Sequence, residues 1–110
     1  MWTPDPSVII TPEQKQAEAQ ARLLEEFRRA VQAHVDATAQ ARDYDDGNSI
    51  ASYVASTNAT WAAEAQAFVS WRDAVWTYAF SELAKVQNGE REIPTVEEFL
   101  AELPVIDWGD

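Results

Sequence analysis

Along this chain of 110 residues, apolar side chains recur at intervals of three and four over two long stretches, and breaks are few. The first stretch runs from Pro12 to about Asp43 without glycine or a second proline. It is dominated by alanine, glutamate, glutamine and arginine, all good helix formers. Leu23, Leu24, Phe27, Ala30, Val31, His34, Val35, Ala37, Thr38 and Ala41 project onto an arc of roughly 140°, with Arg22, Glu25, Arg29, Gln32, Asp36 and Gln40 opposite. One face of this helix is built to lie on a core. Its start is marked by Thr11-Pro12-Glu13-Gln14, with a hydroxyl at the N-cap, proline at the first helical position and a glutamine placed to bond back to the cap.

The second stretch predicts a helix from Ala59 to about Gln87, begun by the capping pair Thr57-Asn58 and stopped at Asn88-Gly89. Its apolar positions, Trp61, Ala65, Phe68, Val69, Trp71, Val75, Trp76, Tyr78, Ala79, Phe80, Leu83 and Val86, spread over roughly 200°, more than packing on one neighbour requires. Something else must cover the remainder: a short helix, the C-terminal segment or another protein molecule. Between the two stretches, "YDDGNS" is the strongest breaker, since Gly47 is the first glycine of the chain. Ser49 to Ser56 then predicts two turns of helix with Ile50, Tyr53 and Val54 on one side. Thr95-Val96-Glu97-Glu98 is a second capping box, opening a short helix from Val96 to about Glu102 that Pro104 ends, after which Pro104 to Trp108 reads as extended. The expected fold class is all-α: an antiparallel hairpin of two long helices with short accessory helices. Residues 1 to 11, with Pro4, Pro6 and the run Val8, Ile9, Ile10, read as an extended N-terminal arm, and 12 to 110 as a single helical domain.

Composition narrows the possible functions. A chain of this length supports one core. The absence of cysteine removes disulfides, thiolate metal sites and a cysteine nucleophile. No stretch approaches the length of a membrane span, so no membrane partner is expected, and no targeting segment is apparent. A net charge of −11 repels nucleic-acid phosphates, which excludes ordinary nucleic-acid binding and leaves only an acidic imitation of DNA as a conceivable relation to it. Seven acidic residues face Arg91 alone between Glu90 and Asp110, a solvated face or a contact for a basic partner.

Candidate chemistry is sparse. His34 is the single histidine, and it projects onto the apolar side of its helix with no triad or multi-histidine metal pattern around it, as a partly buried core histidine does. "DYDDGN" lacks the spacing and closing glutamate of a calcium loop and reads as turn chemistry. Arg72 projects near the middle of the second helix's apolar arc, where a guanidinium needs a carboxylate or an aromatic face. Trp71 and Trp76 offer faces, and Asp73, Asp43, Asp45 and Asp46 offer charge. No catalytic residue, cofactor site or metal site is assigned, and the chain is not expected to be an enzyme.

The stretch "YDDGNSIASYVASTNATWAAEAQAFVSWRDAVW" and the later "PTVEEFLAELPVIDW" resemble small proteins encoded beside tail-fibre genes in tailed bacteriophages and prophages, some described as tail or tail-fibre assembly chaperones. The resemblance covers Phe27 to Trp108. Trp71-Arg72-Asp73-Ala74-Val75-Trp76 and Pro94-Thr95-Val96-Glu97-Glu98 are its most distinctive parts. That group commonly ends in tryptophan-proline, whereas this chain ends Trp108-Gly109-Asp110. The resemblance implies a non-enzymatic interaction factor that covers apolar surface of a tail or tail-fibre protein in the host cytoplasm, or one retained in the virion. A homo-oligomeric structural component of the tail is the alternative. Trp61, Phe68, Trp71, Arg72, Trp76, Tyr78, Phe80 and Trp108 are the candidate partner-binding residues.

Overall fold

The computed structural model describes residues 11–110, so the N-terminal arm, apart from Thr11, lies outside the described residues. Four helices follow in order: α1 (Pro12–Ala41), α2 (Gly47–Ala51), α3 (Ala59–Gln87) and α4 (Val96–Glu102). No strand forms among the described residues, and no helix there is long and apolar enough to cross a membrane. The all-α expectation therefore holds.

Local chemistry explains where the helices begin. Thr11 and Gln14 close a full capping box, Thr11 N donating to Gln14 Oε1 at 2.9 Å and Gln14 N to Thr11 Oγ1 at 3.2 Å. Asn58 Oδ1 accepts from Thr60 N and Trp61 N at the start of α3. At α4 the hydroxyl half of the box is made, Glu98 N donating to Thr95 Oγ1 at 3.1 Å. The ends of both long helices share one solution. Gly89, with φ 73°, and Asp43, with φ 72°, sit in the left-handed region just past α3 and α1. The residues that follow them reach back, Glu90 N to Lys85 O and Tyr44 N to Ala39 O, so each helix ends in a Schellman motif. The aspartate in the glycine position explains why α1 stops at Ala41 and not at Asp43, as the composition suggests.

The expected two-turn helix is displaced. Helix α2 covers Gly47–Ala51 and gives way to turns before Ser56. Gly47 is thus the buried first residue of a helix and not only a breaker. A Cβ there would stand 3.2 Å from Asp36 Oδ1, 3.3 Å from Val35 Cγ1 and 3.4 Å from Phe68 Cζ, tight enough that these neighbours would have to give by a few tenths of an ångström. Asp36, expected on the solvent side of α1, is half-buried and accepts from Gly47 N at 2.9 Å.

Helices α1 and α3 run antiparallel. Arg42 pairs with Glu64, His34 meets Trp71, and Leu24 shares a groove with Leu83, so numbers rise along one helix as they fall along the other. The core between them is two rows spaced by four, Phe27, Val31, Val35 and Ala39 against Val75, Ala79 and Leu83, extended by Ala65, Phe68 and Trp71 and closed by Ile50, Phe99 and Leu103. Ala39 belongs to that row, whereas Ala37 and Ala41, expected inside, are exposed. No polar or charged residue is buried among the described residues.

Candidate functional site

The wide apolar arc of α3 is covered on one flank by the chain itself. Helix α4 and the extended segment after it form a strap along that flank. Phe99 meets Phe27 edge-on, with ring centroids 5.1 Å apart, and lies 6.3 Å from Tyr78. Trp71 Nε1 donates to Pro104 O at 2.7 Å. Trp108 stacks on Phe68 at 6.5 Å and carries the Arg42 guanidinium 4.8 Å above it. Arg42 then holds Glu64 and, through two hydrogen bonds of 2.7 Å, Asp110. This places Asp110's carboxyl below its ordinary range, held down by Arg42. Further up the strap, Glu102 accepts from Arg91 and from Tyr78 Oη, which lowers Glu102 and raises the Tyr78 phenol.

No described residue covers the other flank. Trp76 and Phe80 stack at 5.4 Å with 30° between their planes, and Phe80 is 61% exposed. With Leu83, Ala84 and Gln87 of α3 and Ala21, Leu24, Glu25 and Arg28 of α1, they line a groove of about 330 Å³. One rim is charged. Arg28 and Arg29 both bond Glu25, whose carboxyl is lowered to about 2 by those two hydrogen bonds.

The eight candidate residues therefore do not form one patch. Phe68 and Trp71 are buried in the core, and Tyr78 and Trp108 are half-buried in contacts with the strap. Only Trp76 and Phe80 combine to form the open groove. Trp61, 48% exposed, sits apart at the loop end of the hairpin, 5.8 Å from Tyr53. Arg72 is half-buried and bonds its neighbour Asp73, Nη2 to Oδ1 at 3.0 Å. Cation–aromatic contacts form instead at Arg42 over Trp108 and Arg91 over Phe99. Asp73, one of the counter-ions considered for Arg72, is the one used. His34 is half-buried against Trp71, ring centroids 5.8 Å apart, as its place on the apolar side of α1 suggests.

Sequence reasoning missed Arg42 as the anchor of the C-terminus, and Ala21 and Arg28 as groove walls. Ala21 and Arg28 carry no signal beyond their spacing from Leu24, and Arg42 carries none. No group of three or more His, Cys, Asp or Glu among the described residues is placed to hold a metal ion. Comparison with family models, with curated proteins and with solved structures yields no match.

Proposed function

We propose that this chain is a non-catalytic interaction factor whose Trp76–Phe80 groove covers an apolar surface of a partner protein. The observation that carries the reading is the stacked pair itself: Phe80 is 61% exposed in a groove lined by Leu24 and Leu83, on the flank that no other described segment covers. Large aromatics presented together are the residues that dominate binding energy at protein interfaces. A partner with neutral or basic surroundings fits better than a second copy, because two copies would each bring a charge of −11. The resemblance of the Trp71–Trp76 and Pro94–Glu98 segments to tail-assembly proteins makes a phage tail or tail-fibre protein the proposed partner, met in the host cytoplasm during assembly.

The test is co-expression with a tail-fibre protein from the same genome, followed by size exclusion with light scattering. Co-elution, with more soluble fibre, is expected for the native chain and not for Phe80→Asp, which circular dichroism should show still folded. Failure of the native chain to co-elute would remove the tail assignment. A dimer of the chain alone that Phe80→Asp dissolves would replace the assignment with the homo-oligomeric reading.

A further inference from the structure

The Trp76–Phe80 groove runs beside α1 from Ala21 to Arg28, and its Ala21 end is the one nearer the start of that helix, where ten residues of chain precede Thr11. Those residues are largely apolar. Met1, Trp2, Val8, Ile9 and Ile10 stand against a single charged side chain, Asp5. Reach decides which of them can enter the groove. Ala21 and Arg28 lie nine and sixteen residues beyond Pro12, about 14 and 24 Å along the helix axis. An extended chain spans at most about 3.5 Å per residue, so Val8, Ile9 and Ile10 get no farther than about 10 Å from Thr11 and fall short of Ala21. Trp2, nine positions before Thr11, has a reach of about 30 Å and can pass the full length of the groove.

The groove suits an indole. Trp76 and Phe80 stack 5.4 Å apart with Phe80 61% exposed, and Ala21 and Ala84 add only methyl groups beside them, so a third ring gains both burial and ring packing. Charge does not oppose it. Glu25 is the single carboxylate among the lining residues, and Arg28 and Arg29 both bond it. Asp5 therefore meets no uncompensated negative charge there, whereas a second copy of the chain would bring −11. The tether supplies the rest: a short connection holds its end at an effective concentration on the order of millimolar, and one docked indole is a contact of affinity on the order of millimolar. Covered and uncovered chains then coexist in comparable amounts.

We propose that Trp2 docks in the Trp76–Phe80 groove of its own chain and must leave before a partner enters, a regulation that rests on the partner-binding reading of that groove. Coverage is testable with no partner present. The chain has no cysteine, so Thr3→Cys accepts a nitroxide at one place only. The Trp76 indole and Ala84 methyl NMR signals should broaden well beyond those of the Ile93 methyls, which lie outside the groove. Trp2→Ala and Phe80→Asp should each abolish that difference, the first by removing the ring and the second by spoiling its seat. Equal broadening at Ile93, or broadening of Ala84 that neither variant changes, would overturn the proposal. So would broadening carried only between chains, seen when a nitroxide-bearing chain is mixed with an isotope-labelled chain that lacks it, because Trp2 then occupies a neighbour's groove. Where the fibre protein co-elutes, Trp2→Ala should tighten its binding about twofold, and unchanged affinity would overturn the displacement. Failed co-elution leaves the coverage result standing, and failed coverage leaves the partner reading standing, so the two are told apart.

Discussion

Phe68 and Phe80 are the same residue type on the same face-rich helix, yet one has no exposed surface and the other is 61% exposed. Their substitutions should therefore diverge. Phe68→Ala removes a ring packed near Val35, Trp71 and Trp108 and should cost about 3–5 kcal/mol of unfolding free energy, transfer and cavity terms together. Phe80→Ala loses little burial and should stay within about 0.5 kcal/mol. Urea denaturation of the two variants measures both, and a costly Phe80→Ala would mean the groove is closed in solution. Arg72 makes the same point in charge: its position on the wheel left a carboxylate or a tryptophan face as its partner, and the adjacent Asp73, within hydrogen-bond reach, takes it.

At the scale of elements, the strap is held by few contacts of known kind. Among the described residues its one hydrogen bond to α3 through a backbone atom is Trp71 Nε1–Pro104 O, and the rest is ring packing, the Glu102 bonds to Tyr78 and Arg91, and the Arg42 ion pairs. Trp71→Phe removes the donor together with part of a buried indole, so it should cost about 2–3 kcal/mol, a lost hydrogen bond plus the cavity the smaller ring leaves. Amide hydrogen exchange in that variant should rise around Leu103 to Trp108 before it rises in α1 or α3. Equal acceleration in the long helices would show that the strap and hairpin open as one unit. The short helix α2 behaves differently, because Gly47 lets it approach Val35 and Phe68 and Asp36 caps it from outside its own sequence.

Across the whole molecule, acid is expected to release the strap first. Glu102 and Asp110 both have folded pKa values below their ordinary ones, through Arg91 with Tyr78 and through Arg42 respectively. A lowered carboxylate adds stability that is present above its unfolded value and lost as pH falls through its folded value. Both groups lie in the C-terminal region; solvent screens Asp110 at least as much as Glu25 on α1, so Glu102, the least exposed of the three, carries most of the effect on the strap. Falling pH also shrinks the self-repulsion of a chain at −11, which favours the compact hairpin. Strap fluorescence from Trp108 should therefore change below about pH 4 while far-UV circular dichroism of the helices persists. Coincident loss of both signals would contradict this order.

The amino-acid sequence alone determined the two long helices, their starts and the α3 stop, and the all-α class. These depend on interactions within one turn: Thr11 with Gln14, Asn58 with Trp61, Lys85 with Glu90 across Gly89. It also showed that α3 carries more apolar surface than one neighbour hides. Which part the described helices leave bare was settled only by tertiary structure. The covering contacts join residues far apart in the chain, Trp71 to Pro104 across 33 positions and Arg42 to Asp110 across 68. Periodicity reports which side of a helix is apolar, but it holds no record of which distant segment will come to lie on it.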